Sequence, residues 1–434
     1  MSHKTKKTAM KEQARPALVP KLRFPAFQGA EPWRQVALGE ASTPVTERVG
    51  ERKLIPVSIS AGIGFVPQAE KFGRDISGNQ YQLYTLVRDG DFVYNKGNSL
   101  KFPEGCIYLL QSWGQVAAPN VFICFRLKDG YSNVFFQNCF EANLHGKQLK
   151  KHITSGARSN GLLHISKDAF FGVQIPTPTL QEQQKIADCL SSLDELIAAQ
   201  ARKVDALKTH KKGLMQQLFP PEGETQPRLR FPEFWGAGEW GAGPISQFAE
   251  INPRREVRPD EVEVSFVPMN AVSENGFLAV QQTRKYGSVK KGFTAFRDND
   301  VILAKITPCF ENGKAALVRA LKNGVGFGST EFHVIRAKKS CLPEFIFAQL
   351  YSEQFRSLGK ASMTGTGGHQ RVPASFIEDY VICVPGLPEQ QRISDCLTSF
   401  DGLITAANQE LDTFKTHKKG LMQQLFPSVK TAKE

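Results

Sequence analysis

The sequence predicts an α+β protein with two β-rich domains, separated by two long, near-identical helices that form an antiparallel coiled coil. First, the string THKKGLMQQLFP occurs at 209–220 and again at 416–427. Second, apolar residues before each copy follow a heptad spacing. Third, the segments 28–178 and 235–385 carry short β-type strings punctuated by Gly, Asn and Asp. The two copies begin 207 residues apart, nearly half of the 434-residue chain, which indicates a tandem duplication.

Further matches keep the two halves in phase. KLRFPAF at 21–27 recurs as RLRFPEF at 228–234, and Trp33 recurs as Trp240. We therefore divide the chain, in order, into a disordered basic tail at 1–20, a first domain at 21–178, a helix at 179–220, a linker at 221–234, a second domain at 235–385, a helix at 386–427 and a tail at 428–434.

The strings expected to form strands are short and rich in β-branched and aromatic residues. In the first domain they are KLIPVSIS, YQLYTLV, DFVYNK, CIYLLQ and VFICFRLK, and in the second VSFVPM, FLAV, DVILAKI, AALV and FHVIRA. One helix is expected in each domain, near 132–144 and 343–358. RDGDFVYNKGN at 88–98 aligns with RDNDVILAKIT at 297–307, so the domains share a framework and differ in their loops.

Each long helix has its own start signal and a continuous apolar seam. Thr179 and Glu182 have the spacing of a capping box, and Gly386 with Pro388 opens the second helix. The seam residues are Ile186, Leu190, Leu193, Ile197, Val204, Leu207, Leu214 and Leu218 in the first helix and Ile393, Leu397, Phe400, Ile404, Leu411, Phe414, Leu421 and Leu425 in the second. Gln200 and Lys211 interrupt the first seam and Lys418 the second. A long seam needs a long partner, and an antiparallel pair would place Leu190 near Leu421 or Leu425.

Composition limits the class of partner. The formal net charge is +13, with a pI near 9.3, and a surplus of this size favours a polyanion. No apolar run has the length of a membrane span, and the first residues lack the apolar centre of a signal peptide. We expect a cytoplasmic protein that does not bind membranes.

The repeated layout of variable domain and near-identical helix resembles the specificity subunit of Type I restriction-modification systems. TPTLQEQQKIADCL and PGLPEQQRISDCL resemble the entry into the helical spacer of that family. KITPCFENGK at 305–314, GFGSTEFHVIR at 326–336 and TGTGGHQRVP at 364–373 resemble its target-recognition motifs. The first domain has no close parallel to TPCFENGK, which leaves its target the less predictable of the two.

The resemblance implies a non-catalytic protein that reads double-stranded DNA. Each domain would read one part of a split site, while the helices hold the domains apart and dock two modification (methyltransferase) subunits. Restriction (translocase-nuclease) subunits would complete the enzyme. This chain would bind no cofactor, and S-adenosylmethionine, ATP and Mg²⁺ would belong to the partner subunits.

Three other kinds of protein, a stand-alone DNA methyltransferase, a nuclease and a non-DNA scaffold, fit the sequence less well. A stand-alone DNA methyltransferase would need an Asn/Asp-Pro-Pro-aromatic element, whereas NPR at 252–254 reads as a turn and GAGEWGAGP at 236–244 as a flexible connection. A nuclease would need clustered carboxylates with a lysine, whereas the acidic residues near Pro259 read as a loop, and HGKQLKKH at 145–152 reads as a phosphate-facing surface rather than a metal site. A coiled-coil scaffold that binds proteins is disfavoured by the basic charge.

The candidate DNA-binding residues are polar or basic side chains on loops, the types that contact base edges and phosphates. They are Lys96, Asn98, Ser99, Lys101, Lys147, Lys150, Lys151, Arg158 and Asn160 in the first domain and Lys305, Thr307, Asn312, Lys314, Ser329, Thr330, His369, Gln370 and Arg371 in the second. The seam from Ile186 to Leu218 would be about 50 Å long, enough to place two recognition centres about one DNA turn apart.

Overall fold

The computed structural model describes residues 17–97, 102–153, 163, 165–274, 276–278 and 281–427. The chain forms two compact units. The first unit contains the residues up to 200 together with those from 410 onward, and the second contains 201–409. The division falls inside both long helices. The predicted boundaries near 178 and 385 therefore mark the places where the last strand of each domain gives way to helix.

The described residues of the first unit form three small sheets. Its strands are β1 (Arg34–Ala37), β2 (Ser42–Pro44), β3 (Ile55–Ser60), β4 (Gly64–Pro67), β5 (Thr85–Arg88), β6 (Asp91–Asn95), β7 (Cys106–Leu109), β8 (Gln115–Ala118), β9 (Ile123–Leu127) and β10 (Gln174–Thr177). The sheet orders are β1-β10, β2-β9-β6-β7 and β4-β3-β8-β5. The short helices are α1 (Leu38–Ala41), α2 (Gln68–Phe72), α3 (Asn133–Glu141), α4 (Gly146–Leu149) and α5 (Lys167–Phe171), with 3-10 turns at Pro25–Phe27, Gly78–Leu83 and Lys150–His152.

A helix of 39 residues, α6 (Leu180–Leu218), leads from the first unit into the second. The second unit contains strands β11 (Gly241–Pro244), β12 (Ala249–Ile251), β13 (Glu263–Val267), β14 (Gln282–Lys285), β15 (Thr294–Arg297), β16 (Asp300–Ala304), β17 (Ala315–Leu317), β18 (Val325–Gly328), β19 (Phe332–Ala337) and β20 (Val381–Val384). Its helices are α7 (Ile245–Phe248), α8 (Tyr286–Val289), α9 (Pro343–Gln349), α10 (Glu353–Ala361) and α11 (Ala374–Asp379), followed by α12 (Leu387–Leu425), and its 3-10 turns are Pro232–Phe234, Met269–Ala271, Lys322–Gly324 and Gly367–His369.

The two units have the same sheet topology. The orders β11-β20, β12-β19-β16-β17 and β14-β13-β18-β15 repeat those of the first unit with every strand number raised by ten. In both units one pair is parallel, β3 with β8 and β13 with β18. A buried aspartate opens the central strand of the second sheet in each unit. Asp91 pairs with Arg126, and Asp300 pairs with Arg336. The duplication read from the sequence is therefore a duplication of fold.

Three local predictions need correction. The expected helix at 343–358 is two helices, because the Ser352 hydroxyl accepts a hydrogen bond from Phe355 N and starts α10 anew. FLAV forms no strand in its described part, where Leu278 makes only an isolated bridge with Val272. The end of GAGEWGAGP is not a flexible connection, because 241–244 is β11, paired with β20, and Trp240 is buried.

The long helices pack in antiparallel fashion within each unit. In the first unit Leu190, near the start of α6, shares a core with Met422 and Leu425 at the end of α12, and Leu421 packs against it. In the second unit Leu218, at the end of α6, shares a core with Leu397 near the start of α12. All sixteen predicted seam residues are buried or half-buried. The predicted α+β class and the antiparallel coiled coil are confirmed.

The polar residues in the seam have partners on the opposite helix. Lys211 Nζ lies 2.6 Å from Asp401 Oδ1, and Lys418 Nζ lies 2.7 Å from Asp194 Oδ1. The two pairs are repeat mates. Because both pairs are partly exposed, their net contribution to stability is small, and they favour the one register in which both form.

The structure shows why the string RFP occurs before each domain. Arg23 Nε and Nη2 donate to the Glu182 carboxylate over 2.8 and 2.7 Å, and Arg230 donates to Glu389 over the same two distances. Both pairs are almost fully buried, with side-chain exposures of 7% and 1%, and 10% and 4%. Glu182 therefore does not serve the predicted capping box. The segment before each domain is clamped to the first turn of a long helix instead.

Candidate nucleic-acid interface

Three loops of the second unit meet where β16 ends. Thr307 N donates to Gln370 O over 2.9 Å, and Val372 N donates to Lys305 O over 2.9 Å. Lys305 N donates to Glu331 O over 2.9 Å. We call residues 305–314, 329–333 and 364–372 the second loop cluster. Its segments lie far apart in sequence and are joined by backbone hydrogen bonds.

The second loop cluster contains all nine candidates predicted in this unit. The exposed ones are Asn312, Thr330, His369 and Arg371, and the half-buried ones are Lys305, Thr307, Lys314, Ser329 and Gln370. Their side chains supply the amide, hydroxyl and ammonium groups that contact base edges and phosphates. Contact with DNA stays a prediction for each of them.

Arg371 has a structural partner that the sequence did not indicate. Its Nε and Nη2 donate to the two carboxylate oxygens of Glu331 over 2.9 and 2.8 Å, and Nη1 donates to His369 O over 3.1 Å. The Arg371 hydrogen bond holds the pKa of Glu331 below its usual range. Because both edges of its guanidinium are hydrogen-bonded, Arg371 links the glycine-rich loop (364–372) to the 329–333 turn.

Hydrogen bonds of His333 and Asn252, here called the polar brace, hold the glycine-rich loop at 364–372. His333 Nε2 donates to Val372 O over 2.9 Å, and Asn252 Nδ2 donates to His333 Nδ1 over 3.1 Å. Asn252 Oδ1 accepts from Val334 N over 3.0 Å. These contacts fit a neutral imidazole protonated on Nε2, and burial lowers the pKa of His333. The brace joins β12, β19 and the glycine-rich loop.

In the first unit, Lys96 stands at the position equivalent to Lys305. Leu163 N donates to Lys96 O over 2.9 Å, which matches the hydrogen bond from Val372 to Lys305 in the second unit. We call 96–101 and 147–162 the first loop cluster. Asn98, Ser99, Lys101, Arg158 and Asn160 lie outside the described residues. Among the described ones, Lys96 is half-buried, directly after β6.

Lys147, Lys150 and Lys151 are exposed on α4 and the 3-10 turn that follows it. His145, which precedes them, does not face phosphate as the sequence suggested. It is 2% exposed, with its ring packed edge to face on Tyr94 and Phe140, and burial lowers its pKa to about 4. Because Tyr94 lies on β6, the lysine segment begins beside the strand that ends before Lys96.

The remaining enzymatic motifs have structural roles. Asp260 and Glu261 form ion pairs with Lys290 and Lys285. No group of three or more potential metal ligands occurs among the described residues. No helix in the described part of the chain combines the length and apolar character needed to cross a membrane.

Sequence reasoning missed the side chains that shape the loops. Glu331 binds the Arg371 side chain, and His333 and Asn252 bind each other and backbone atoms, so these three residues carry no motif that marks them as functional. Arg356 was missed for the same reason, although a lone arginine between apolar residues in EQFRSLGKA is a signal that could have found it.

Two units of one fold with paired long helices, and a polar loop cluster described in the second unit, define a protein of duplicated design. The family model for the Type I restriction modification DNA specificity domain matches residues 79–209 and 238–413. The chain belongs to this family.

Similar proteins carry the same description. The Escherichia coli Type I restriction enzyme EcoEI specificity subunit is 43% identical over 206 residues, covering 46% of this chain and 34% of that protein. The EcoAI specificity subunit of the same organism is 37% identical over 207 residues, covering 47% and 34%. The match thus spans about a third of the length of these two relatives.

Two solved structures share the fold. A chain from a structure concerned with complex assembly and conformational transition of the type I R-M system has a TM-score of 0.55 and 16% identity, covering 91% of this chain and 98% of that one. The S subunit of the Type-I restriction-modification system from M. genitalium has a TM-score of 0.53 and 12% identity, covering 95% and 100%.

Proposed function

We propose that this chain is the DNA-reading subunit of a Type I restriction-modification complex and that each loop cluster reads one half of a split duplex site. The observation that supports this is the equivalence of the two clusters. In both, the first segment follows the equivalent strand, yet the sequences differ: TGTGGHQR precedes Val372, whereas SGARSNGL precedes Leu163 along the chain. One framework with two different loop sets suits the reading of two different sequences.

Catalysis is assigned to partner subunits. Two modification subunits would carry S-adenosylmethionine and methylate the site, and restriction subunits would supply ATP- and Mg²⁺-dependent translocation and cleavage. The share of this chain is to bind the site and to hold the partners beside it.

Lys150 and Lys151 test the DNA-binding part of this proposal. If both bind phosphate, K150A/K151A weakens binding to every duplex alike, because phosphate contacts carry no sequence information. The slope of log K against log salt concentration becomes less steep by about 1.8, since each phosphate that is no longer neutralised reduces the slope by about 0.9. Fluorescence anisotropy titrations between about 50 and 200 mM salt, the range over which such interactions show, measure this slope.

The matched control is K185A/K208A, which removes two exposed lysines of α6 outside both loop clusters. Its slope should equal that of the unchanged protein. Equal slopes for K150A/K151A and the unchanged protein would show that the lysine segment does not bind phosphate.

The long helices offer a repeated surface for a repeated partner. Leu196 and Leu403 are repeat mates outside the seam, and they are 51% and 54% exposed. An exposed leucine kept in both copies is an anchor of the kind that protein interfaces bury. We assign one modification subunit to each leucine.

Substitution by aspartate tests this assignment. L196D and L403D should each lose one of the two modification subunits, and the double variant should lose both, because an interface core does not accept an unpaired charge. Native mass spectrometry of the reconstituted complex counts the subunits. A198D is the control, since residue 198 is exposed and lies about 200° round the helix from Leu196. If L196D/L403D still binds two modification subunits, the docking surface lies elsewhere on the chain.

A further inference from the structure

Arg356 is a cation packed against two aromatic rings of the second unit. It lies on α10, half-buried, with its guanidinium 4.9 Å from the ring centre of Phe310 and 5.1 Å from that of Tyr351. Burial lowers its pKa to about 10. No carboxylate of the described residues forms an ion pair with it, and the undescribed positions of this unit are Asn275, Ala279 and Val280, none of them acidic.

The guanidinium is directed at one turn of the second loop cluster. Nη1 donates to Phe310 O over 2.9 Å and Nη2 to Gly313 O over 3.3 Å. Nε is buried and has no hydrogen-bond acceptor among the described residues. A half-buried cation whose described partners are two carbonyls and two aromatic rings is an expensive way to stabilise a core, since an apolar side chain of similar length would fill the space without losing hydration.

The turn itself resembles the last turn of a helix. Phe310 N donates to Ile306 O and Asn312 N to Pro308 O, and the chain then leaves through Gly313 with a φ of 83°. Basic side chains commonly bond the last free carbonyls of a helical turn. Arg356 does this from a separate element, so the end of the turn is fixed by α10.

A glycine in α10 allows this helix to pack closely against Phe310. A Cβ on Gly359 would lie 2.4 Å from Phe310 Cζ, so only glycine lets the fully buried ring of Phe310 rest against the helix. The exposed Asn312 lies between the two residues whose carbonyls Arg356 binds. Its amide is of the type that pairs with adenine in the major groove.

We propose that Arg356 is a positioning residue for the second half-site, fixing the turn at 306–313 so that Asn312 presents its amide to one base pair. This rests on the proposed function of the second loop cluster. Arg356 itself contacts no base. Removing it leaves the fold in place and loosens the reading of one position.

The variant R356M tests this in cells that carry the complete system, with methylated sites mapped by sequencing. Its methylated sites should keep the first half and relax at one position of the second. With the purified complex, discrimination against duplexes changed at that position should fall about tenfold, the scale of one base contact. The thermal midpoint should be unchanged or higher, whereas a merely structural role predicts a lower midpoint and losses spread over every position of the second half.

Three further variants and a control keep the outcome decisive. N312A should reduce discrimination at the same base pair. The double variant R356M/N312A should lose no more discrimination than either single variant, because both substitutions remove the same base contact. R356K, which keeps the charge but has one nitrogen for two carbonyls, should be intermediate. The control R392M removes an exposed arginine that stacks on Phe231 at 4.3 Å outside the loops, and should change nothing.

Full discrimination at the second half-site in R356M, or additive losses in the double variant, would overturn the role of Arg356 while leaving the proposed function in place. If the unchanged complex does not distinguish any duplex sequence, the proposed function fails instead.

Discussion

Replacing Glu182 by alanine is expected to destabilise the first unit by about 3 kcal/mol, and replacing Glu389 to destabilise the second by about 2 kcal/mol. Each change leaves a nearly buried arginine without its carboxylate. Both values lie at or below the low end of the range for broken buried pairs, because the arginines keep backbone partners such as Ala30 O and Ala237 O.

The difference between the two variants follows from one tryptophan in each unit. Trp33 Nε1 donates to Glu182 Oε1 over 3.2 Å, whereas the equivalent Trp240 Nε1 is buried without a partner among the described residues. E182A therefore leaves one more buried donor without an acceptor than E389A does, and this difference costs about 1 kcal/mol of stability.

Hydrogen exchange of the intact chain reports the stability of each unit separately. Each variant should lower protection mainly in its own unit. R23M/E182L, which replaces both members of the pair by apolar residues, should recover most of the loss, since no charge then remains buried. E47A removes an exposed carboxylate whose partners are Arg88 and Arg52, and should have little effect. Protection in E182A equal to that of E47A would show that the clamp does not hold the helix start.

The helical part of the fold could be predicted because its signal is local and repeated. Seam residues recur every three or four positions, and the duplicated dodecamer marks both helices, so antiparallel pairing required no knowledge of the domains. The sequence alone did not identify the partners of Lys211 and Lys418. Asp194 and Asp401 become partners only once the register is known.

The sheets were predicted only where apolar strings are strong. DFVYNK and DVILAKI became β6 and β16, but the three-residue strands β2 and β12 carry no alternating pattern. Pairing with β9 and β19 makes them strands. The contact between Arg23 and Glu182 spans 159 residues, so the recurrence of RFP marked its importance without indicating its partner.

The candidate residues of the second loop cluster were predicted as a set from residue type and from resemblance, and the structure brings them together. The sequence could not show which of them are held by other side chains. Arg371 is predicted as a DNA contact, and the structure adds that three of its donors bind Glu331 and the backbone; its contact with DNA stays a prediction. Arg356 has no motif and acts only through the carbonyls beneath Asn312.

The central claim is that the two loop clusters read the two halves of one DNA site at a separation set by the paired helices. Both α6 and α12 continue from one unit into the other. An insertion in one helix alone would be opposed by the unchanged length of the other. The test therefore inserts four residues into both helices, after Gln200 and after its repeat mate Ala407.

These insertions leave Lys418 with Asp194 in the first unit and Lys211 with Asp401 in the second. Each helix becomes about 6 Å longer and turns by about 40°, close to the rise and twist of one or two base pairs. A four-residue insertion in a coiled coil unwinds it locally and leaves the pairing intact.

Mapping the methylated sites in cells that carry the complete system with this double-insertion variant tests the claim most directly. The account predicts that both half-site sequences stay the same and that the unread gap between them grows by one or two base pairs. Altered half-sites with an unchanged gap would contradict it.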